Sequence, residues 1–168
     1  MALHVYVQNI NTRIVQAGTG AGTTMVVDTN VYAALDVIGG KLKLPQAVRL
    51  PAGTGVLQSI TITDDDNEKA AFDVLLFSAS PTGTVTDNLA YAHSAADLLA
   101  FLGRVQVVAT DYLTIVAGSL AVASIKNIGL LVKAASGSAD LYAVVIATGT
   151  PTYTATTDLQ MFFGVLCD

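Results

Sequence analysis

The densest group of chemically capable side chains lies in SITITDDDNEKAAFDVLLF, Ser59 to Phe77. Here Asp64, Asp65, Asp66, Asn67 and Glu68, the chain's only glutamate, follow one another. Five oxygen-bearing side chains in a row could serve Ca²⁺, a hard cation that takes six to eight oxygen ligands. The helix–loop–helix calcium site needs Gly at its sixth position and Glu at its twelfth. Counted from Asp64, those positions hold Lys69 and Leu75, so the spacing fails. Asp73 could complete a carboxylate pair for glycoside hydrolysis, but the stretch has no aromatic residues besides the two Phe of its apolar run. The alternative is a polar turn. Asp and Asn stabilise turns by bonding their own backbone, and DDDNEK would then be the solvated tip of a hairpin joining LQSITIT to AAFDVLLF. The turn is the expectation, with Ca²⁺ at Asp64–Glu68 left open.

Other candidate chemistry is thinner. AGTGAGTT, Ala17 to Thr24, resembles a phosphate cradle, but position 23 is Thr where the dinucleotide pattern wants Gly. The loop has no Lys, and no helix signal follows it. A Gly/Thr loop between strands is expected instead. The two histidines, His4 and His93, and the one cysteine, Cys167, make no zinc-ligand set. No GxSxG elbow supports a nucleophile. No catalytic, cofactor-binding or metal residue is therefore assigned, and the chain is not expected to be an enzyme.

The elements that would carry any site read as β. Apolar residues make up 52% of the 168 residues and charged ones only 12%, about half the usual share, so surface is expected to be hidden in an assembly. Net charge is −5 and the eight Lys and Arg are scattered, which argues against nucleic acid as a partner. The longest uncharged apolar run considered as a span, Tyr112 to Ile125, is shorter than the ~20 residues a membrane helix needs. Neither a secretory signal nor a disulfide within the chain is expected. LHVYVQ, KLKLP and VLQSITIT alternate with period two, and AFDVLLF, VQVVAT, LLVKA and LYAVVIAT are short β-branched runs between turn signals. The expectation is one all-β domain over 1–168, a β-sandwich or jelly roll of about eight to ten strands. HSAADLLAFLGR breaks the pattern. Ser94 is a candidate N-cap, Asp97 occupies the capping-box position and Gly103 is the stop, giving a short helix over 95–102. TNVYAALDVI, Thr29 to Ile38, fits a second helix or an irregular loop.

From Gly55 to Gly103 the phrases form a recognisable series. An acidic turn (Asp64 to Asn67) is followed by LLF (Leu75 to Phe77), Ser80-Pro81, Thr86-Asp87-Asn88, and Ser94 to Leu98. Together with DVIGGKLKLP upstream and LYAVVIATGTPTYTATTDLQMFFGVLCD downstream, this resembles the small virion structural proteins of tailed bacteriophages, of the capsid decoration or cement type. The resemblance implies a β-sandwich on the outside of the capsid that bridges subunits of the major capsid protein and self-associates as a dimer or trimer. Location on the virion exterior, assembly in the bacterial host cytoplasm, and no membrane or nucleic-acid partner follow from it. Residues 1 to about 30, with their glycines, would be an assembly arm. Two other readings belong to different classes. One is a phage tail or adsorption component binding host-surface carbohydrate through Tyr91, Tyr112 and Tyr153. The other is a hydrolase using Asp64–Asp66.

Overall fold

The structure, a computed structural model, describes residues 11–167. LHVYVQ and His4 lie outside them. The described residues form ten strands, one short α-helix and a 3-10 turn (Ala109–Asp111): β1 (Asn11–Gln16), β2 (Gly18–Thr19), β3 (Val37–Leu44), β4 (Thr54–Asp64), β5 (Phe72–Phe77), α1 (Ala95–Ala100), β6 (Phe101–Val107), β7 (Tyr112–Val116), β8 (Leu120–Lys133), β9 (Leu141–Ala147) and β10 (Leu159–Cys167). A first sheet has the order β1-β10-β4-β8-β7 and a second β2-β3-β9-β5-β6, with every pairing antiparallel.

The pairing is nested. β1 pairs with β10, β3 with β9, β4 with β8, and β5 with β6. The eight long strands therefore form one folded-over ribbon, wrapped so that successive pairs fall alternately in the first and second sheets. That wrapping is a jelly roll, with β2 and β7 added at the edges. Alternation along the strands sends one set of side chains inward. Leu57, Ile60, Ile62, Phe163 and Val165 of the first sheet meet Leu42, Phe72, Val74 and Val145 of the second, all essentially buried. Each large apolar side chain so buried contributes roughly 1.5–3 kcal/mol.

Several expectations change. DDDNEK is not the tip of a hairpin, because β4 lies in the first sheet and β5 in the second. It is a connection between sheets, as the nested ribbon requires. The helix ends at Ala100, two residues early, and Phe101 and Leu102 begin β6. Gly103 does not cap the helix. It sits inside β6, opposite Leu76, with the end of the Leu130 side chain packed over it. Residues 29–36 form a loop leading into β3, which takes up Val37 and Ile38, rather than a helix. Of the expected arm over residues 1–30, residues 11–30 are built into the sandwich: Ala17, Met25 and Val27 are core residues. Residues 1–10 are outside the described range. The apolar run Tyr112 to Ile125 turns back on itself at residues 117–119 to give β7 and the start of β8. No helix among the described residues is long and apolar enough to cross a membrane.

A strap, residues 78–100, crosses the outer side of the second sheet. Beneath it Val37, Phe77 and Val144 form a second small core with Val85, Tyr91 and Ala100. The strap is fastened at two carboxylates. Asp97 closes the capping box with Ser94 and also accepts from Thr82 N (2.7 Å) and Gly83 N (3.0 Å). Asp87 accepts from the Tyr32 hydroxyl (2.8 Å) and Gly39 N (2.7 Å), tying the strap to β3 and its preceding loop.

Candidate functional site

The acid run is a structural knot. Asp64, the last residue of β4, is fully buried and accepts from Lys69 N (2.6 Å) and Asp66 N (3.3 Å), so it folds the connection around itself. Burial pushes its carboxyl above the usual aspartate value, even against the lowering effect of N–H bonds from Lys69, Glu68 and Asp66. Asp66 grips Thr154 through both its N–H and its hydroxyl, and Glu68 accepts from Thr152 N (3.3 Å). Asp158 accepts from Ala155 N (2.6 Å). The acids therefore pin the β4–β5 connection to the β9–β10 connection by bonding backbone. No three His, Cys, Asp or Glu among the described residues converge on a position that could hold a metal ion. Asp73 points elsewhere, 2.7 Å from Arg104 Nε on the outer side of the second sheet.

The glycine loop is closed on itself. Thr19 N donates to Thr24 O and Gly22 N to Thr19 O, while the Thr19 hydroxyl bonds Gly39 O and accepts from Val26 N. Gly18 is required because a Cβ there would strike the Gly22 carbonyl. These N–H groups are spent on the turn and do not point at an anion.

Two of the three tyrosines considered for sugar stacking are core residues. Tyr112 donates to Ala70 O (3.1 Å), and Tyr153 packs edge-on against Tyr32 at 6.1 Å. Burial pushes both phenols far above their ordinary value. Tyr91 is half-buried in the strap. With Leu75, Phe77, His93, Asp97, Leu98 and Phe101 it lines a mostly apolar hollow of about 170 Å³, in which the Asp97 carboxylate is taken up by the N–H groups of Thr82, Gly83 and Ser94.

The remaining unusual feature is the outer side of the first sheet. The only charged residues in its five strands are Arg13, Asp64, Lys126 and Lys133. Asp64 is buried and Arg13 turns its guanidinium to Gln46 O (2.8 Å), which leaves Lys126 and Lys133, opposite Ser59 and Thr54, as the exposed charges of this side. Across the outer side, register aligns Leu113, Val122, Thr63 and Gln160 in one row and Leu131, Val56 and Leu166 in another. Ile14 (77% exposed), Leu131 (75%) and Leu113 (67%) stand in water with no acid beside them on the face. Sequence reading found the shortage of charge but not its location. The register that gathers these residues is set by pairings between distant strands.

No protein-family model matches the chain, and a search of curated proteins finds no significant relative.

Proposed function

We propose that the protein is a virion structural protein that works by adhesion: it lays the outer face of its first sheet on a phage capsid, bridges neighbouring coat subunits and self-associates while doing so. The observation that carries this reading is the exposed face around Leu113, Val56 and Leu131, an apolar and Thr/Ser surface without an exposed acid in its strands and with Lys126 and Lys133 as its exposed cations, of the kind that marks protein contact sites. The resemblance of its phrases to those of capsid decoration proteins supports it, and the jelly roll is a fold used in capsid shells, although fold alone does not assign function. On this reading no chemistry is performed. Each copy adds buried area worth about 25 cal/mol per Å² of apolar surface, and many copies act together.

The test is to mix the purified protein with expanded, undecorated capsids. Binding that raises the capsid melting temperature, and that is lost in Leu131→Glu, is expected. Wild-type protein that neither binds nor stabilises would end the coat reading.

A further inference from the structure

A sandwich has four edge strands, and here three are blunted against further pairing. β2 is two residues long, and β7 is broken by an irregularity between Thr114 and Val116. β6 carries exposed Arg104, is irregular opposite Leu76/Phe77 and leans Gly103 on Leu130. Short length, bulges and charges are the ordinary defences of an edge. β1 has none of them. Its six residues pair with β10 without a register shift, it contains no proline, and its one charge is turned to the Gln46 carbonyl.

The open side of β1 can be assigned residue by residue. Ala17 N donates to Met161 O (2.9 Å), continuing the register in which Gln16 faces Phe162 and Val15 faces Phe163. Hydrogen-bonded and non-bonded positions alternate in an antiparallel ladder. Val15 and Arg13 therefore direct their backbone groups at β10, while Thr12, Ile14 and Gln16 direct theirs away from it. Among the described residues nothing pairs with those outward groups. An open cleft of about 340 Å³, walled by Thr23, Pro45 and Gln46, runs along this side.

The outward set is self-complementary. A strand laid antiparallel with Ile14 opposite its own counterpart sets Thr12 against Gln16 and Gln16 against Thr12. All three outward positions on each side then bond, and Arg13 falls opposite Val15 rather than another Arg. We propose that β1 pairs across a two-fold axis with β1 of a second copy, joining two first sheets into one ten-stranded sheet. The apolar contact at its centre is Ile14 against Ile14, flanked by Thr12 beside Gln16, whose amide nitrogen already bonds Gln160 Oε1 (3.2 Å) within its own copy. This names the surface for the self-association in the reading above and rests on that reading only for the idea that copies meet.

The experiment measures solution mass by light scattering on the full chain and on Ile14→Pro. Proline removes only an N–H that faces away from β10, a position edge strands tolerate, so the fold should survive and the circular dichroism spectrum should not change. Expected are a mass of two copies for the wild type and a two-fold drop for the variant. Oxidised Ile14→Cys should run as a disulfide-linked dimer, Cys167 being buried. A monomeric wild type, an Ile14→Pro protein that stays dimeric, or no cross-link through position 14 would each overturn the pairing. Capsid binding separates the two ideas. Dimers that ignore capsids sink the coat reading alone, and monomers that bind capsids sink the β1 pairing alone.

Discussion

The two sheets share a core and have five strands each, but they are finished differently on the outside. The second sheet is covered: the strap buries Phe77, Val37 and Val144, and what remains exposed includes the ion pairs Lys43–Asp140 (2.9 Å) and Arg104–Asp73 (2.7 Å) and the strap's own Leu89, Leu98 and Leu99. The first sheet is bare, apolar and nearly without charge. A face that spends a 23-residue strap (78–100) on its own cover is structural. The composition of the chain, read whole, averages the two and hides the division.

Four measurements would break or sharpen that contrast. The largest effect belongs under the strap. Phe77→Ala should cost about 3–5 kcal/mol in denaturant unfolding, as truncation of a fully buried Phe does, while leaving assembly untouched wherever the protein remains folded. Next is Asp64→Ala. It strands the N–H groups of Lys69 and Asp66 around a buried position and should cost about 2–3 kcal/mol by the same assay.

The third measurement is the dependence of stability on pH. Asp64 and Asp87 have carboxyls raised by burial above 3.8, so the folded state binds their protons more tightly than the unfolded state does. Their contribution to stability grows as pH falls from neutral through their raised values toward 3.8. Asp97 behaves oppositely. Burial pushes its carboxyl up, but the N–H groups of Thr82, Ser94 and Gly83 more than offset that and hold it at about 2. Its stabilisation is complete above 3.8 and disappears as pH falls toward 2. Compared with the wild type, the denaturation midpoint of Asp64→Asn should lack part of the mild-acid gain, whereas that of Asp97→Asn should lack part of the steep loss below 3.8. A variant that left its limb of the curve unchanged would refute the assignment.

The smallest effect on stability belongs to the bare face. Leu131→Glu and Leu113→Glu should stay within about 0.5 kcal/mol of wild type, as surface substitutions usually do, and should still abolish docking. If they unfold the protein, the face is part of the core and the contrast between the sheets is wrong.

The strands were legible wherever one sheet face is wet and the other dry. KLKLP and VLQSITIT alternate in sequence and alternate in burial as β3 and β4. Ser94 and Asp97 announced the helix because a capping box is local chemistry. The apolarity of Phe101 and Leu102 extends the helical pattern past Ala100, since nothing nearby in sequence records that β5 needs a partner there. LQMFFGVLC of β10 was not set apart as a strand: flanked on both sides by β1 and β4 and buried inward, it carries almost no alternation to read. The acid run was misplaced for a related reason. Turn chemistry is local, so a bend was foreseeable, but whether it joins neighbours in one sheet or crosses between two is decided by β8, some sixty residues downstream, which pairs with β4 in place of β5. The bare face was invisible in sequence because its members come from five separate strands.

The nested ribbon also sets an order of events during synthesis. β5 and β6 are separated only by the strap and can pair as soon as both are made. β4 must wait for β8, β3 for β9, and β1 for β10, each closing a larger loop than the last at a growing entropic cost. Among the described strands, the first to leave the ribosome is thus the last to find its place. A newly made β1 has both sides open until β10 arrives, and a neighbouring copy at that moment is a rival for the inner side as well as a partner for the outer one. Production at high concentration would therefore favour exchange of β1 between copies, and slowing synthesis should raise the yield of correctly closed protein.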